Sequence, residues 1–290
     1  MTPLALCRFV HFLAAMLAFG ASAYLLFYTP VDLRRALSPP CRRLVVAASL
    51  IALATACLWL SLEAAAMADD WSAAVDPGAI ATVLIDTAFG HAWMLHLALA
   101  AALAGAAVLA PRDSWTGISV LSALMLASLG LVGHAAMQTG ALGILHRLNH
   151  AAHLIAAGAW IGGLVPFVLC LDACARGGLR RNAVAAMMRF SFWGHFVVAA
   201  IVATGIVNIA MTSGRAPLPP TTPYRALLDV KIALVAIMIG LAVVNRYALV
   251  PRLRKSADAL AAMRAISLVN VALGTTVVAL VSVFALLDPA

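Results

Sequence analysis

About eight apolar runs divide this sequence, and each approaches the ~20 residues that a helix needs to cross a ~30 Å hydrocarbon layer. The runs are continuous and rich in Ala and Leu, without the alternation of apolar and polar residues that is typical of strands. Charged residues make up 10% of the chain, against ~25% in soluble domains, which excludes a water-soluble globule. We predict an all-α fold, a polytopic transmembrane helical bundle that forms a single domain over residues 1–290.

Short polar breaks define eight predicted spans. They cover residues 4–28, 44–66, 91–110, 117–137, 148–171, 190–212, 225–250 and 265–287. We interpret residues 4–28 as a retained first span, because the apolar run is long enough to cross the membrane. Residues 79–89 are apolar but too short to cross, so we predict an interfacial helix there.

The positions of the basic residues predict the orientation. Of the 19 Lys and Arg residues, 14 lie on connections from an odd to an even span. Because short loops rich in Lys and Arg stay cytoplasmic, both termini are predicted to be periplasmic. The formal charge of +8 therefore reflects topology. No basic run is interleaved with aromatic residues, so we expect no nucleic-acid partner.

Histidine is distributed unevenly on this topology. Seven of the eight histidines fall in the outer half of the predicted bundle, and only His195 lies on the inner side. Two segments, 90–94 and 133–137, repeat a Gly-His-Ala-x-Met pattern that sets His and Met three residues apart. Residues three or four apart share a helix face and can point at one ligand.

Imidazole and thioether together are a ligand set suited to copper, because soft sulfur favours Cu(I) and nitrogen accepts either oxidation state. We predict an outer-leaflet metal site formed by His134, His150, His153, Met137, His91 and Met94. A wider set of candidate ligands adds His146, His11, His96, Cys170 and Cys174, of which the two cysteines would receive a soft metal at the inner end of span 5. The alternative for each residue is an ordinary packing role within a helical bundle.

Two segments carry a family resemblance. Residues His150 to Phe167 read HAAHLIAAGAWIGGLVPF, and Tyr224 to Leu253 include Lys231. With weaker similarities in the same order from span 3 onward, the chain resembles the copper-resistance D (CopD or PcoD) family of bacterial inner-membrane proteins. The resemblance implies an eight-span protein that moves copper from the periplasm toward the cytoplasm, often beside a periplasmic copper carrier of the CopC type. His134, His150 and the Trp160–Leu164 element match family-like positions.

The predicted function is therefore a multi-pass protein of the bacterial inner membrane that captures periplasmic copper, as Cu(I) or Cu(II), and moves it inward. Its expected partners are membrane lipid and a CopC-type carrier. We expect no enzymatic turnover, and the sequence has no GxxxxGK[ST] nucleotide loop. Two alternatives stay open: a b-type haem electron-transfer protein with axial histidines on neighbouring helices, and a copper sensor or docking protein that does not transport.

Overall fold

The structure of the protein is a computed structural model that describes residues 3–111, 113–133, 138–175, 177–213, 222–252, 257–284 and 286–287. Within these ranges the regular structure is helical, with no strand, which confirms the all-α prediction. The helices are α1 (Pro3–Phe27), α2 (Val31–Ala68), α3 (Pro77–Asp86), α4 (Ala88–Leu109), α5 (Trp115–Ser128), α6 (Gly140–Ala175), α7 (Arg180–Ser213), α8 (Pro223–Val243) and α9 (Ala257–Phe284). A π-helical turn (Val244–Leu249) directly follows α8.

Seven helices in the described ranges are long and apolar enough to cross a membrane: α1, α2, α4, α6, α7, α8 and α9. The predicted span 117–137 corresponds to α5, which a 3₁₀ turn extends from Ser128 to Leu131. At 1.5 Å per residue this segment is somewhat shorter than a ~30 Å hydrocarbon layer. The count of eight spans and the periplasmic termini stay predictions.

Local sequence signals explain the start of two helices that lead into the site. The Asp76 carboxylate accepts hydrogen bonds from the backbone N–H groups of Gly78 and Ala79, and Pro77 occupies the first helical position of α3. The Thr87 hydroxyl caps α4 by accepting from the Gly90 N–H at 2.9 Å. The structure thus has a separate short helix where the sequence predicts an interfacial one.

Helix α1 occupies the centre of the bundle. It packs against α2, α5, α6 and α9, whereas α4 packs mainly on α2 and α5. Most of α1 and α6 is buried inside the protein, and most of α7 and α8 faces outward. Helices α7 and α8 therefore lie at the periphery, where their apolar side chains suit a lipid environment.

Glycines bring α1 and α6 into backbone contact. A Cβ on Gly20 would overlap the α6 backbone at Gly158, Gly162 and Gly163, and a Cβ on Gly162 would overlap the Met16 carbonyl. Small residues spaced four apart permit such close approach of helices in membranes, where packing and not the hydrophobic effect drives association. This crossing holds the central helix α1 directly against α6, which is the most buried of the long apolar helices in the described ranges.

We predict that Gly162→Ala weakens the fold, because the added methyl group must push α1 and α6 apart. We expect a loss of about 1–3 kcal/mol in the free energy of unfolding, measured by circular dichroism during titration with a denaturing detergent. The matched control is Gly240→Ala on the peripheral α8, where an added Cβ meets no atom within 4 Å. Equal stability of the two variants would contradict the close crossing.

Candidate metal centre

Two histidines meet in the interior of the bundle. His11 on α1 and His96 on α4 are 0% and 1% exposed, and their Nε2 atoms lie 3.0 Å apart. The ring centroids are 4.9 Å apart. The two side chains thus form one buried imidazole pair, which we call the histidine pair.

The helices place both imidazoles at the same depth. His11 is the ninth residue of α1 and His96 the ninth residue of α4. At 1.5 Å per residue, each histidine lies about 12 Å from the start of its helix. Both helices belong to odd-numbered predicted spans, so they are predicted to run in the same direction. Helix α2 lies beside both helices and supplies hydrogen-bond partners.

The tautomer of His11 follows from its neighbours. Its Nδ1 lies 3.1 Å from the Ala52 carbonyl and 2.9 Å from the Thr55 hydroxyl. Thr55 donates its own proton to the Ile51 carbonyl at 2.7 Å. A carbonyl can only accept, and the hydroxyl proton is already used, so Nδ1 carries the hydrogen and Nε2 keeps its lone pair.

His96 is held in the same way. Its Nδ1 lies 2.8 Å from the Ser128 hydroxyl, and Ser128 donates its proton to the Met125 carbonyl at 2.7 Å. Nδ1–H of His96 is therefore the donor, and its Nε2 lone pair faces the Nε2 lone pair of His11. Two facing lone pairs are satisfied only by a shared proton or by a cation between the rings. Fixing one ring nitrogen as a donor so that the other can bind is the usual arrangement around metal-binding histidines.

Aromatic side chains surround the histidine pair. Trp93 stacks on His96 with centroids 4.6 Å apart, and Trp59 meets His11 edge-on at 5.7 Å. Trp93 donates to the Ala56 carbonyl at 3.0 Å, which satisfies its indole N–H without using the histidines. The Trp59 and Trp93 side chains therefore fill the space around the two rings, which leaves no room for the macrocycle that the haem alternative requires between axial histidines.

A charged layer lies next to the histidine pair on the side of the α1 N-terminus. The Arg8 guanidinium sits 4.8 Å from the centre of the Trp59 ring, and Trp59 donates to the Glu63 carboxylate at 2.9 Å. Cys7 is one helical turn from His11 and donates from Sγ to the Thr55 carbonyl oxygen at 3.3 Å. A carboxylate and a thiol thus lie beside the histidine pair, toward the N-terminal end of α1.

A second polar cluster joins α6 to α7. Asn149 donates to the Asn208 side chain at 2.8 Å, and His150 lies 3.4 Å from the Asn208 amide nitrogen. His153 lies 2.9 Å from the Thr204 hydroxyl. Two of the predicted ligands, His150 and His153, are thus neighbours on one helix face and are oriented by α7.

Buried thiols gather at the other end of the bundle. The Tyr24 hydroxyl donates to Cys170 Sγ at 3.3 Å, and Cys41 and Cys174 belong to the same buried core. All three thiols are at most 1% exposed. Cys170 and Cys174 belong to the wider set of candidate ligands, and Cys41 on α2 is a further buried thiol at this end of the bundle.

The other predicted ligands lie elsewhere. His91 is exposed and bonded through Nε2 to the Ile85 carbonyl at 2.7 Å, and Met94 is 43% exposed on the outer face of α4. His146 is buried and bonded to the Gln138 side chain at 3.2 Å. His134 and Met137 lie outside the described residues. The six-residue outer-leaflet site therefore stays a prediction.

No group of three His, Cys, Asp or Glu side chains in the described part of the chain is arranged to hold a metal ion. The histidine pair is a two-ligand arrangement, and the sequence analysis names both residues only in its wider set. Equal depth in two parallel spans is the sequence signal that could have joined them. The hydroxyl partners Thr55 and Ser128 carry no sequence signal, because many spans contain Ser and Thr.

Comparison with known proteins finds similarity over almost the whole chain. A family model described as copper resistance protein D-like, N-terminal domain, matches residues 1–144, and one described as copper resistance protein D matches residues 184–284. The chain is 35% identical over 283 residues to the inner membrane protein YebZ of Escherichia coli, covering 97% of each chain. It is 31% identical over 261 residues to the copper resistance protein D of Pseudomonas syringae pv. tomato, covering 86% of this chain and 83% of that protein.

A shorter match links the chain to the copper transport protein CutJ of Bacillus subtilis. The identity is 31% over 146 residues, covering 48% of this chain and 26% of that protein. No solved structure matches significantly. Two of these three relatives are named for copper resistance or copper transport.

We predict that the two buried imidazoles are energetically coupled. In metal-free buffer the two facing lone pairs are satisfied by a shared proton, so His11→Leu or His96→Leu removes that bond and leaves one buried Nε2 unsatisfied, at a cost of about 1–3 kcal/mol in unfolding free energy. The double variant removes both polar rings and should lose less than the sum of the single losses. Denaturing-detergent unfolding of the four proteins measures the difference. His91→Leu, at an exposed position, is the control, and strictly additive losses would contradict the pairing.

Proposed function

Because the chain belongs to the copper resistance protein D family, we propose that it binds copper between His11 and His96 and conducts it inward across the membrane. The chain is a copper-related, multi-pass inner-membrane protein, in keeping with its relatives and with the seven long apolar helices of its described ranges. The proposal concerns the site, the oxidation state of the ion and the direction of movement.

The facing Nε2 lone pairs of the histidine pair carry this proposal. Both Nδ1–H groups are held by acceptors on neighbouring helices, so neither ring can offer a proton to the other without losing a bond. A cation between the rings satisfies both lone pairs at once. With imidazole–metal bonds of about 2 Å, as in zinc sites, the nitrogens need to part from 3.0 Å to about 4 Å.

The number and type of ligands favour Cu(I). Imidazole suits copper, and Cu(I) accepts soft, low-coordinate sites, whereas structural zinc prefers four ligands and hard cations prefer several oxygens. Only two ring nitrogens converge at the histidine pair. A monovalent ion also costs less to bury among Trp59 and Trp93 than a divalent one, because the penalty for burying charge rises with its magnitude.

The other donor groups suggest stages before and after the histidine pair. We propose that His150 and His153, with His134 and Met137, capture periplasmic copper that a CopC-type carrier delivers. Cys170 and Cys174, beside Cys41, are soft donors for release at the inner end. An inside-negative potential assists inward movement of a cation by ~2.3 kcal/mol per charge per 100 mV, so passage needs no enzymatic turnover.

We predict that His11→Ala and His96→Ala each remove one equivalent of bound Cu(I) per chain. Purified protein in lipid nanodiscs is titrated against a chromogenic Cu(I) chelator, and X-ray absorption at the copper edge reports the ligands. The wild type should show a component with two nitrogen ligands that both variants lack. His91→Ala is the matched control and should keep that component. An unchanged amount of bound Cu(I) per chain in both variants would contradict the proposed site.

Transport is tested separately from binding. In sealed vesicles with an inside-negative potential, we expect the wild-type protein to fill the lumen with copper and His96→Ala to do so at least tenfold more slowly. The reason is that loss of one ligand removes the intermediate site in the membrane interior. A sensor or docking protein would bind copper without filling the lumen, and that outcome would contradict the transport proposal while leaving the site intact.

A further inference from the structure

A second feature lies apart from the copper ligands, in the inner half of the bundle. A cavity of about 190 Å³ separates the packed pair α6 and α7 from the packed pair α8 and α9. Trp160, Phe167 and Phe190 form part of its wall. An engineered protein cavity of about 150 Å³ accommodates benzene, so this space has the size of one substituted aromatic ring.

Two asparagines in the cavity wall have unmet hydrogen-bonding capacity. Asn245 and Asn270 are 8% and 2% exposed, and within the described part of the chain the Oδ1 atom of each has no hydrogen-bond partner. Asn245 is held only through its amide nitrogen, 3.4 Å from the Ser267 hydroxyl. A buried carbonyl oxygen without a donor costs about 1–3 kcal/mol. The last torsion of asparagine is soft, so a small turn presents either oxygen to a donor in the cavity.

The backbone of the cavity wall is also unusual. The π-helical turn Val244–Leu249 carries Asn245 and Tyr247 to the cavity, and π-helical turns occur frequently at functional sites. The Tyr247 hydroxyl donates to His195 Nε2 at 3.1 Å, since His195 Nδ1 is turned to the Phe192 carbonyl. This bond joins the π-helical turn to α7 at the cavity wall. Tyr247 is 64% exposed, so the mouth of the cavity opens here, at the bundle surface.

The chemistry of the wall defines the ligand. A mouth between peripheral helices admits a ligand from the lipid phase. The aromatic wall suits a flat ring, and acceptors without donors require ligand O–H groups. The described lining residues include no carboxylate, and Arg246 lies among them, which disfavours a cationic headgroup. A lipid-soluble ring with hydroxyl groups meets all four conditions.

We propose that this cavity binds the headgroup of a membrane quinol, with its hydroxyl groups donating to the side chains of Asn245 and Asn270. The ring lies against Trp160 and Phe190, and the tail leaves through the mouth between α7 and α8. The proposal does not depend on the histidine pair, because the lining residues belong to the inner half of α6 to α9. No electron transfer is implied by binding alone.

The test compares decylubiquinol with decylubiquinone, because the quinone has the same ring and tail but no O–H donor. Binding to the protein in phosphatidylcholine nanodiscs is followed by quenching of tryptophan fluorescence, with Trp160→Phe identifying the responding residue. We expect the wild type to bind the quinol about tenfold more tightly than the quinone. Asn270→Leu, which keeps the branched shape and the number of side-chain heavy atoms, should lose that preference.

Controls separate a local effect from misfolding. Asn208→Leu changes an asparagine of the outer polar cluster and should keep the preference for the quinol. Asn270→Leu should fold at least as well as the wild type by detergent unfolding, because it removes an unpartnered polar atom. Equal binding of quinol and quinone by the wild type would overturn the proposal. Native mass spectrometry showing a phospholipid that decylubiquinol does not displace would overturn it as well.

Discussion

Hydrocarbon surroundings offer no water, so a polar side chain buried among spanning helices must find its partners within the protein. This constraint explains the arrangement around His11 and His96. Hydroxyls and carbonyls of α2 and α5 take the Nδ1–H groups, and the tryptophans satisfy their own N–H groups elsewhere. On the two imidazole rings the capacity left is the pair of Nε2 lone pairs, which face each other at 3.0 Å. The site is thus produced by satisfying the other polar atoms of the two rings.

The same constraint orders the rest of the molecule along the membrane normal. Next to the histidine pair lie a carboxylate and an arginine, Glu63 and Arg8, that associate with Trp59. At the opposite end the thiols surround Tyr24, whose hydroxyl is bonded to Cys170. Cys7 contributes one thiol beside the charged layer, and three further buried thiols, those of Cys41, Cys170 and Cys174, lie at the opposite end. Under the proposed function these three are the soft donors for release of the ion.

The sequence predicted the helical elements, and its six-residue metal site stays a prediction. Continuous apolar runs determine the helices, and seven of eight predicted spans match long apolar helices in the described ranges. The uneven histidine distribution led to a prediction of imidazole ligands, and neighbours along one helix were easier to recognise than partners on two helices. His150 and His153 share a stripe that spacing reveals. The pairing of His11 with His96 depends on how α1 and α4 pack, and the Nε2 lone pairs depend on Thr55 and Ser128, which spacing cannot assign.

The glycine crossing between α1 and α6 has a mechanical consequence for the histidine pair. Helix α1 is in contact with four other helices and locked to α6 at Gly20 and Gly162, so His11 sits on the stationary part of the bundle. Helix α4 has fewer neighbours and begins at a capped corner after Asp86. If copper binds between the rings as proposed, the separation of about 1 Å that it requires is therefore expected to come from α4 and His96. His11 thus lies on the more constrained helix of the pair, and His96 lies on the less constrained one.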